Sequence, residues 1–139
     1  MNPQRTDPVM APLIAIIDDA VGIRNALRAL MRSANYRAET FPSAEEFVAS
    51  GVASLSDCVI TDVAMQGIGG LELAGLLKSC GWTVPVILIS ALTNADLELK
   101  AIINGARCLL RKPVESNALI SLVEESIASR PPELADQHL

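Results

Sequence analysis

Val59-Ile60-Thr61-Asp62 is an apolar run that stops on a carboxylate, followed by Val63-Ala64-Met65 and the loop Gln66-Gly67-Ile68-Gly69-Gly70. Such a run reads as a buried strand that delivers one acid to the edge of a sheet. Three more apolar runs end the same way. Residues 13–17 stop at Asp18-Asp19, 84–89 stop at Ser90, and 108–110 lead through Arg111 to Lys112. Three acids, a hydroxyl and an ammonium at the ends of four strands make a site.

The intervening segments have helical periodicity. From Val21, the residues Ile23, Leu27, Leu30 and Met31 share one face, with Arg24, Arg28 and Arg32 elsewhere. Residues 36–40 read as a short, more polar edge strand. Ser43 and Glu46 form a capping-box pattern for a helix reaching about Ser50. A helix over 71–79 is expected to bury Leu71, Leu73, Leu76 and Leu77. Asn94 caps another, carrying Leu97, Leu99 and Ile102 and closed by Gly105. After a strand over 107–111, a last helix over 115–128 uses Leu119, Leu122, Val123 and Ile127, and Arg130-Pro131-Pro132 stops it.

Five strand–helix units with short connections predict parallel pairing with right-handed crossovers. The expected class is α/β: a flavodoxin-like (βα)5 doubly wound parallel sheet, strand order 2-1-3-4-5. In such sheets the site lies beyond the carboxyl ends of the strands, near the point where strand order reverses. Those ends carry Asp18, Asp19, Asp62, Ser90 and Lys112. Residues 1–11 read as a flexible arm, 12–129 as one domain and 130–139 as a disordered tail.

Composition narrows the chemistry. The 139 residues are 50% hydrophobic and 19% charged, which suits a packed domain. Aromatics make up only 3%, so the core must come from Ile, Leu, Val and Ala. A net charge of −5 offers no footprint for nucleic acid or anionic lipid. No apolar run is long enough to span a membrane, and the N-terminus lacks a signal-peptide pattern, so a cytoplasmic protein is expected. Cys58, Cys80 and Cys108 lack zinc-like spacing and read as three buried free thiols.

Three converging carboxylates repel one another unless something neutralises them. A hard divalent cation does so, and Mg²⁺ takes one or two carboxylates while leaving positions for phosphate oxygens. A carboxylate beside such an ion is a competent nucleophile toward phosphorus. Ser90 can donate to a phosphoryl oxygen and Lys112 can bring positive charge, which together meet the needs of phosphoryl transfer.

These residues carry a resemblance. Ile16-Ile17-Asp18-Asp19, Ile60-Thr61-Asp62-Val63 with Met65 and Gly70, Ser90-Ala91 and Lys112-Pro113 make the chain resemble the receiver domain of bacterial two-component response regulators, over about 12–128. Phe41-Pro42-Ser43-Ala44-Glu45-Glu46-Phe47 is similar to receivers that precede helix-turn-helix output domains. The resemblance implies that Asp62 accepts a phosphoryl group from a sensor histidine kinase or histidine phosphotransfer protein. Asp19 would bind Mg²⁺ (or Mn²⁺) directly and Asp18 chiefly through water, with Asp62 and the Ala64 backbone carbonyl completing the ligands. Ser90 and Lys112 would hold phosphoryl oxygens, and Lys112-Pro113 would be cis. Gly22, Ile23 and Ala26 would be the docking surface for the phosphodonor, with Ser90 and Leu109 as the switch region. Beyond phosphotransfer to itself and its slow reversal, no enzymatic activity is implied.

Departures from the family pattern add expectations. Leu109 stands where receivers carry Phe or Tyr, Val114 replaces an aromatic, and Gln66 replaces a proline. Ala64 and Leu92 occupy the positions that tune phosphate loss, and neither can orient a water, so self-dephosphorylation is expected over hours rather than seconds. A monomer or phosphorylation-dependent dimer is expected, acting on an unidentified protein target. Residues 130–139 read as a natural end, favouring a stand-alone receiver over one excised from a DNA-binding regulator. An aspartate-nucleophile phosphatase of the haloacid-dehalogenase type shares the carboxylate, cation and lysine logic. It would need its nucleophile on the first strand and a second acid two residues later, which Asp18-Asp19-Ala20 does not provide. A flavin-binding flavodoxin would set the acid cluster against the flavin phosphate.

Overall fold

The structure, a computed structural model, describes residues 11–130. Leu13–Ile17 (β1), Arg37–Phe41 (β2), Cys58–Asp62 (β3), Val86–Ser90 (β4) and Cys108–Arg111 (β5) form one parallel sheet in the order β2-β1-β3-β4-β5. The connecting helices are Val21–Ser33 (α1), Ala44–Ser50 (α2), Gly70–Ser79 (α3), Ala95–Ile103 (α4) and Ser116–Ala128 (α5). This is the (βα)5 doubly wound arrangement expected from the sequence.

Strands β1, β3 and β4 are buried at every position, which is why their sequences run apolar without alternation. The edge strand β2 is mixed instead: Ala38 and Phe41 are buried in opposite layers, while Arg37 and Glu39 are exposed. One apolar layer sets Ala15, Ile17, Val59 and Leu88 of the sheet against Phe47 of α2, Leu73 and Leu77 of α3 and Ala101 of α4. The other sets Ile14, Ile16, Ile60 and Ile87 against Met31 of α1 and Leu119 and Val123 of α5. Each fully buried aliphatic of this size contributes about 1.5–3 kcal/mol of transfer free energy. Phe41 and Phe47 meet edge to face with ring centroids 5.3 Å apart.

The helix ends follow local chemistry. Ser43 Oγ accepts the Glu46 N–H at 3.1 Å, Asn94 Oδ1 accepts the Leu97 N–H at 2.8 Å, and Glu115 accepts from Asn117 and Ala118. Strand β2 lies one residue later than expected, β4 starts two residues into its apolar run and takes in Ser90, and a 3₁₀ turn at Val52–Leu55 leads into β3.

Two helix faces differ from expectation. In α3, Ala74 takes the core position in place of Leu76, which is exposed, and Leu71 is half-buried. In α4 only Ala101 is buried; Leu97 is half-buried, and Leu99 and Ile102 are 56% and 69% exposed. A short helix can rest on the sheet through one small residue, which turns its larger side chains outward. The thiols also divide: Cys58 is buried, Cys108 half-buried and Cys80 exposed, so the expectation of three buried thiols fails at Cys80. Burial pushes the Cys58 thiol up to about 12 and that of Cys108 to about 11, leaving both protonated and inert at neutral pH.

The expected arm and tail lie outside the described residues, apart from Ala11 and Arg130. Ala11 accepts a hydrogen bond from Arg37 Nε at 2.8 Å, and Arg130 Nη1 donates to the Ser56 carbonyl at 3.1 Å. Among the described residues, no helix is long and apolar enough to cross a membrane.

Candidate functional site

Parallel register assembles the site. Ile17 of β1 is level with Thr61 of β3, Asp62 with Ile89 of β4, and Ser90 with Arg111 of β5. Asp18, Asp62, Ser90 and Lys112 therefore emerge at nearly the same height along one edge. The ladder continues just past the strand ends, with Asp18 N donating to the Phe41 carbonyl (3.1 Å), Val63 N to Ile89 (2.8 Å) and Lys112 N to Ser90 (2.8 Å). Each residue that carries a functional group is thus held by backbone bonds at or beside its own position. Helix α3 starts so close behind Asp62 that a Cβ at Gly70 would collide with the Asp62 carbonyl oxygen.

Lys112 Nζ lies 2.9 Å from Asp62 Oδ2 and 3.6 Å from Asp18 Oδ2. The Lys112-Pro113 peptide that leads away from it is cis. Asp18, only 2% exposed, has its carboxyl raised above the usual range by burial. The hydrogen bond from Ala20 N (2.9 Å) and the charge of Lys112 oppose that rise, while Asp62 and Asp19 add to it. Burial alone would lower the Lys112 ammonium, but its hydrogen bond to Asp62 and the charges of Asp18 and Asp62 outweigh this and hold it above the ordinary lysine value. Lys112 is therefore a fixed cation at neutral pH.

Carboxylate oxygens of Asp18, Asp19 and Asp62 lie within 4.8 Å of one another. Asp18 and Asp62 are buried, while Asp19 stands in solvent. An all-oxygen donor set with one open side fits a hard divalent cation that keeps several waters. Ala64 follows in the exposed loop, with its N–H donating to Asp62 Oδ1 at 3.3 Å.

The remaining expected residues take distinct places. Ser90 is folded into its own turn: Oγ donates to the Leu92 carbonyl at 2.5 Å and accepts the Leu92 N–H at 3.1 Å. Leu109 is half-buried and packs on the apolar layer shared with α2, α3 and α4. Gly22, Ile23 and Ala26 line an apolar cavity of about 450 Å³ with Leu27, Ile89, Pro113 and Val114, and Lys112 reaches its wall from the acid cluster. Sequence reasoning missed Arg24, placed with Arg28 and Arg32 off the apolar face of the helix and given no role. Its Nη1 donates to the Asp18 carbonyl at 2.7 Å and ties α1 to the end of β1. Nothing in the spacing of Arg24, Arg28 and Arg32 distinguishes the first from the others.

Comparison with known proteins agrees with this geometry. Residues 14–124 match the response regulator receiver domain family. The chain is 31% identical to the transcriptional regulatory protein TdiR of Thauera aromatica, over 90% of this chain and 55% of that protein. It is 33% identical to the transcriptional regulatory protein FixJ of Azorhizobium caulinodans, over 82% of this chain and 54% of that one. The chain thus spans about half the length of these curated relatives. Among solved structures, the response regulator StyR superposes with a TM-score of 0.79 at 30% identity, covering 86% of this chain and 61% of that one. The chemotaxis protein CheY4 of Vibrio cholerae shares the fold with a TM-score of 0.78 at 21% identity, covering 84% and 98%. With the family match running along most of a five-unit parallel sheet that has acids and a lysine at its carboxyl edge, this chain belongs to the response regulator receiver domains.

Proposed function

We propose that Asp62 accepts a phosphoryl group from a phosphohistidine on a sensor histidine kinase or histidine phosphotransfer protein, and that the loaded chain signals by binding another protein. The observation that carries this reading is the Lys112 ammonium 2.9 Å from Asp62 Oδ2, inside a group of three clustered carboxylates. A carboxylate oxygen of Asp62 attacks phosphorus in line with the P–N bond. That bond breaks with its electron pair on the imidazole nitrogen. Catalysis is then positioning and charge neutralisation. Asp18, Asp19, Asp62 and the Ala64 carbonyl are the groups that would hold Mg²⁺, or Mn²⁺ in its place, and the cation supplies neutralising charge to phosphoryl oxygens when bound.

Lys112 transfers its hydrogen bond from the carboxylate to a phosphoryl oxygen as charge builds there. For Ser90 to do likewise, its hydroxyl must release the Leu92 carbonyl, which lies two residues before the Asn94 cap of α4. That exchange links the site to the outward face of α4, where Leu99, Ile102 and Ile103 offer an apolar surface to a partner. With Leu109 in place of an aromatic, the linkage runs through aliphatic packing. The apolar cavity at Gly22, Ile23 and Ala26 suits a phosphodonor helix, since it opens beside Lys112. The reading places the chain in the cytoplasm and makes it a signalling module rather than an enzyme.

Incubation with acetyl phosphate and Mg²⁺ followed by peptide mass spectrometry tests the reading. Phosphate is expected on Asp62 and none on the Asp62→Asn chain; unmodified wild type under donor excess overturns it. Phosphoryl decay is expected over hours, because Ala64 and Leu92 carry no group that could hold an attacking water, and a lifetime below a minute rejects that expectation. A second reading, the receiver half of a transcriptional regulator, is favoured by TdiR and FixJ, both transcriptional regulatory proteins of which this chain matches only 55% and 54%. The length of the native reading frame separates the two.

A further inference from the structure

We infer that Glu45 is a positioning residue for the Asp62 site, latching the loop that follows β3 to the start of α2. The inference rests on the proposed role of Asp62 and adds to it a residue of a different element. Glu45 Oε2 accepts the Ile68 N–H at 3.1 Å. The same carboxylate lies against the α-carbon of Gly67, where a Cβ would collide with it. Gly67 has φ +76°, a left-handed conformation that calls for glycine, and a side chain there would push the end of Glu45 away from the loop.

The latch springs from a firm base. Ala44 and Phe47 are fully buried on either side of Glu45, and the Ser43 cap fixes the first turn of α2. Met65 and Ile68 of the loop pack part-buried on the core, but its polar ties to the rest of the fold are few. Among the described residues, the Glu45 bond is the only hydrogen bond that another element makes to residues 64–68. The other polar ties are local, from Ala64 N to Asp62 Oδ1 and from Gly69 N to Glu72 Oε1 at 3.1 Å. Asp19, Glu45, Gln66 and Gly67 line one polar cavity of about 580 Å³, so the latch forms a wall of the opening on which Asp19 stands.

The loop carries Ala64, whose carbonyl is the proposed backbone ligand of the cation. With the latch closed, that carbonyl is held in place before the cation arrives. With it open, only a fraction of molecules present the loop in the binding geometry, and apparent affinity falls by that fraction. The maximal rate of phosphorylation at saturating cation is unaffected, since bound cation itself restores the loop.

The test uses the full chain as wild type, Glu45→Ala and Glu45→Gln. Glutamine keeps an acceptor oxygen for the Ile68 N–H but loses the charge, including its favourable interaction with the α2 N-terminus. Amide exchange is first measured at Ile68 without cation or donor, where Glu45→Ala is expected to exchange faster while β1 and β3 stay protected. Titration with Mg²⁺ should then show an apparent Kd about three- to tenfold weaker for Glu45→Ala. Its phosphorylation rate from acetyl phosphate should match wild type once Mg²⁺ saturates. Glu45→Gln should recover both the exchange protection and the affinity. Unchanged Ile68 exchange in Glu45→Ala overturns the latch, and so does a Glu45→Gln chain that binds Mg²⁺ as weakly as Glu45→Ala, which would make the effect one of charge. The exchange measurement needs no phosphorylation, so failure of the latch leaves the Asp62 reading standing, and the reverse holds as well.

Discussion

Both ends of the sheet pair acid with cation, and they do so to opposite effect. Before β3, Asp57 Oδ2 accepts the Leu13 N–H at 2.8 Å and Oδ1 faces Arg130 Nη1 at 3.7 Å. Arg130 also donates to the Ser56 carbonyl and to Thr83 Oγ1 at 3.3 Å. There one acid meets one cation, and hydrogen bonds to Leu13, Ser56 and Thr83 engage both. At the carboxyl edge three carboxylates cluster, and Lys112 pairs with two of them, Asp62 and Asp18. The same residue types make a staple where one acid is paired and a site where several acids cluster. Unbalanced negative charge in a half-buried cleft disfavours the bare protein and favours a cation, and with it a phosphoryl group.

The sharpest way to break this contrast is to remove one charge from each end. Lys112→Ala is expected to slow phosphorylation from a small donor by about 10²–10³-fold, the usual cost of one preorganised group at developing charge. Asp57→Ala should leave that rate essentially unchanged. Equal losses in both would show that the amino edge also serves the reaction.

Cation linkage should differ next. Mg²⁺ at a hundred times its Kd is expected to stabilise wild type by about 2.7 kcal/mol in denaturant unfolding. Asp19→Asn should lose most of that increment, while Asp57→Ala should keep it. A wild type whose unfolding midpoint ignores Mg²⁺ would remove the basis for the contrast. Conversely, Asp57→Ala leaves the Leu13 N–H without its acceptor and is expected to cost about 1–3 kcal/mol of stability with or without Mg²⁺. An unshifted midpoint would deny the staple its role.

The smallest effect is in pH. The carboxyl of Asp18 is raised above 3.8 in the fold, so the folded state takes up its proton first as pH falls. In metal-free protein Asp18 therefore costs stability at neutral pH, and acidification toward 3.8 relieves that cost. Asp18→Asn should be the more stable chain at pH 7 without Mg²⁺, with an advantage that shrinks on acidification. A gap that widens instead would contradict the assigned cause. The raised ammonium of Lys112 gives the opposite dependence at the alkaline end. Its contribution is complete below 10.5 and is lost as pH climbs through its higher folded value.

Much of this edge was legible in the chain. Strands covered on both faces must be continuously apolar, so residues 13–17 and 59–62 announce themselves, and the polar residue that ends each run marks the carboxyl edge. Parallel pairing then brings those ends together whatever the details of packing. The α4 face was not legible, because Leu97, Leu99 and Ile102 satisfy a helical period without saying which side the sheet takes. In the fold that side belongs to Ala101. Ser90 was readable as a hydroxyl at the edge, but its turn back onto Leu92 was not.

By itself, then, the sequence determined the alternation of elements, the class of sheet and the group of acids with a lysine, because these follow from local periodicity and from where apolar runs stop. Tertiary structure alone decided which partners those groups meet. Arg24 on the Asp18 carbonyl and Glu45 on the Ile68 amide, 23 positions away, depend on how helices lie across the sheet. Contacts of that kind are set by packing in three dimensions, and no one-dimensional period encodes them.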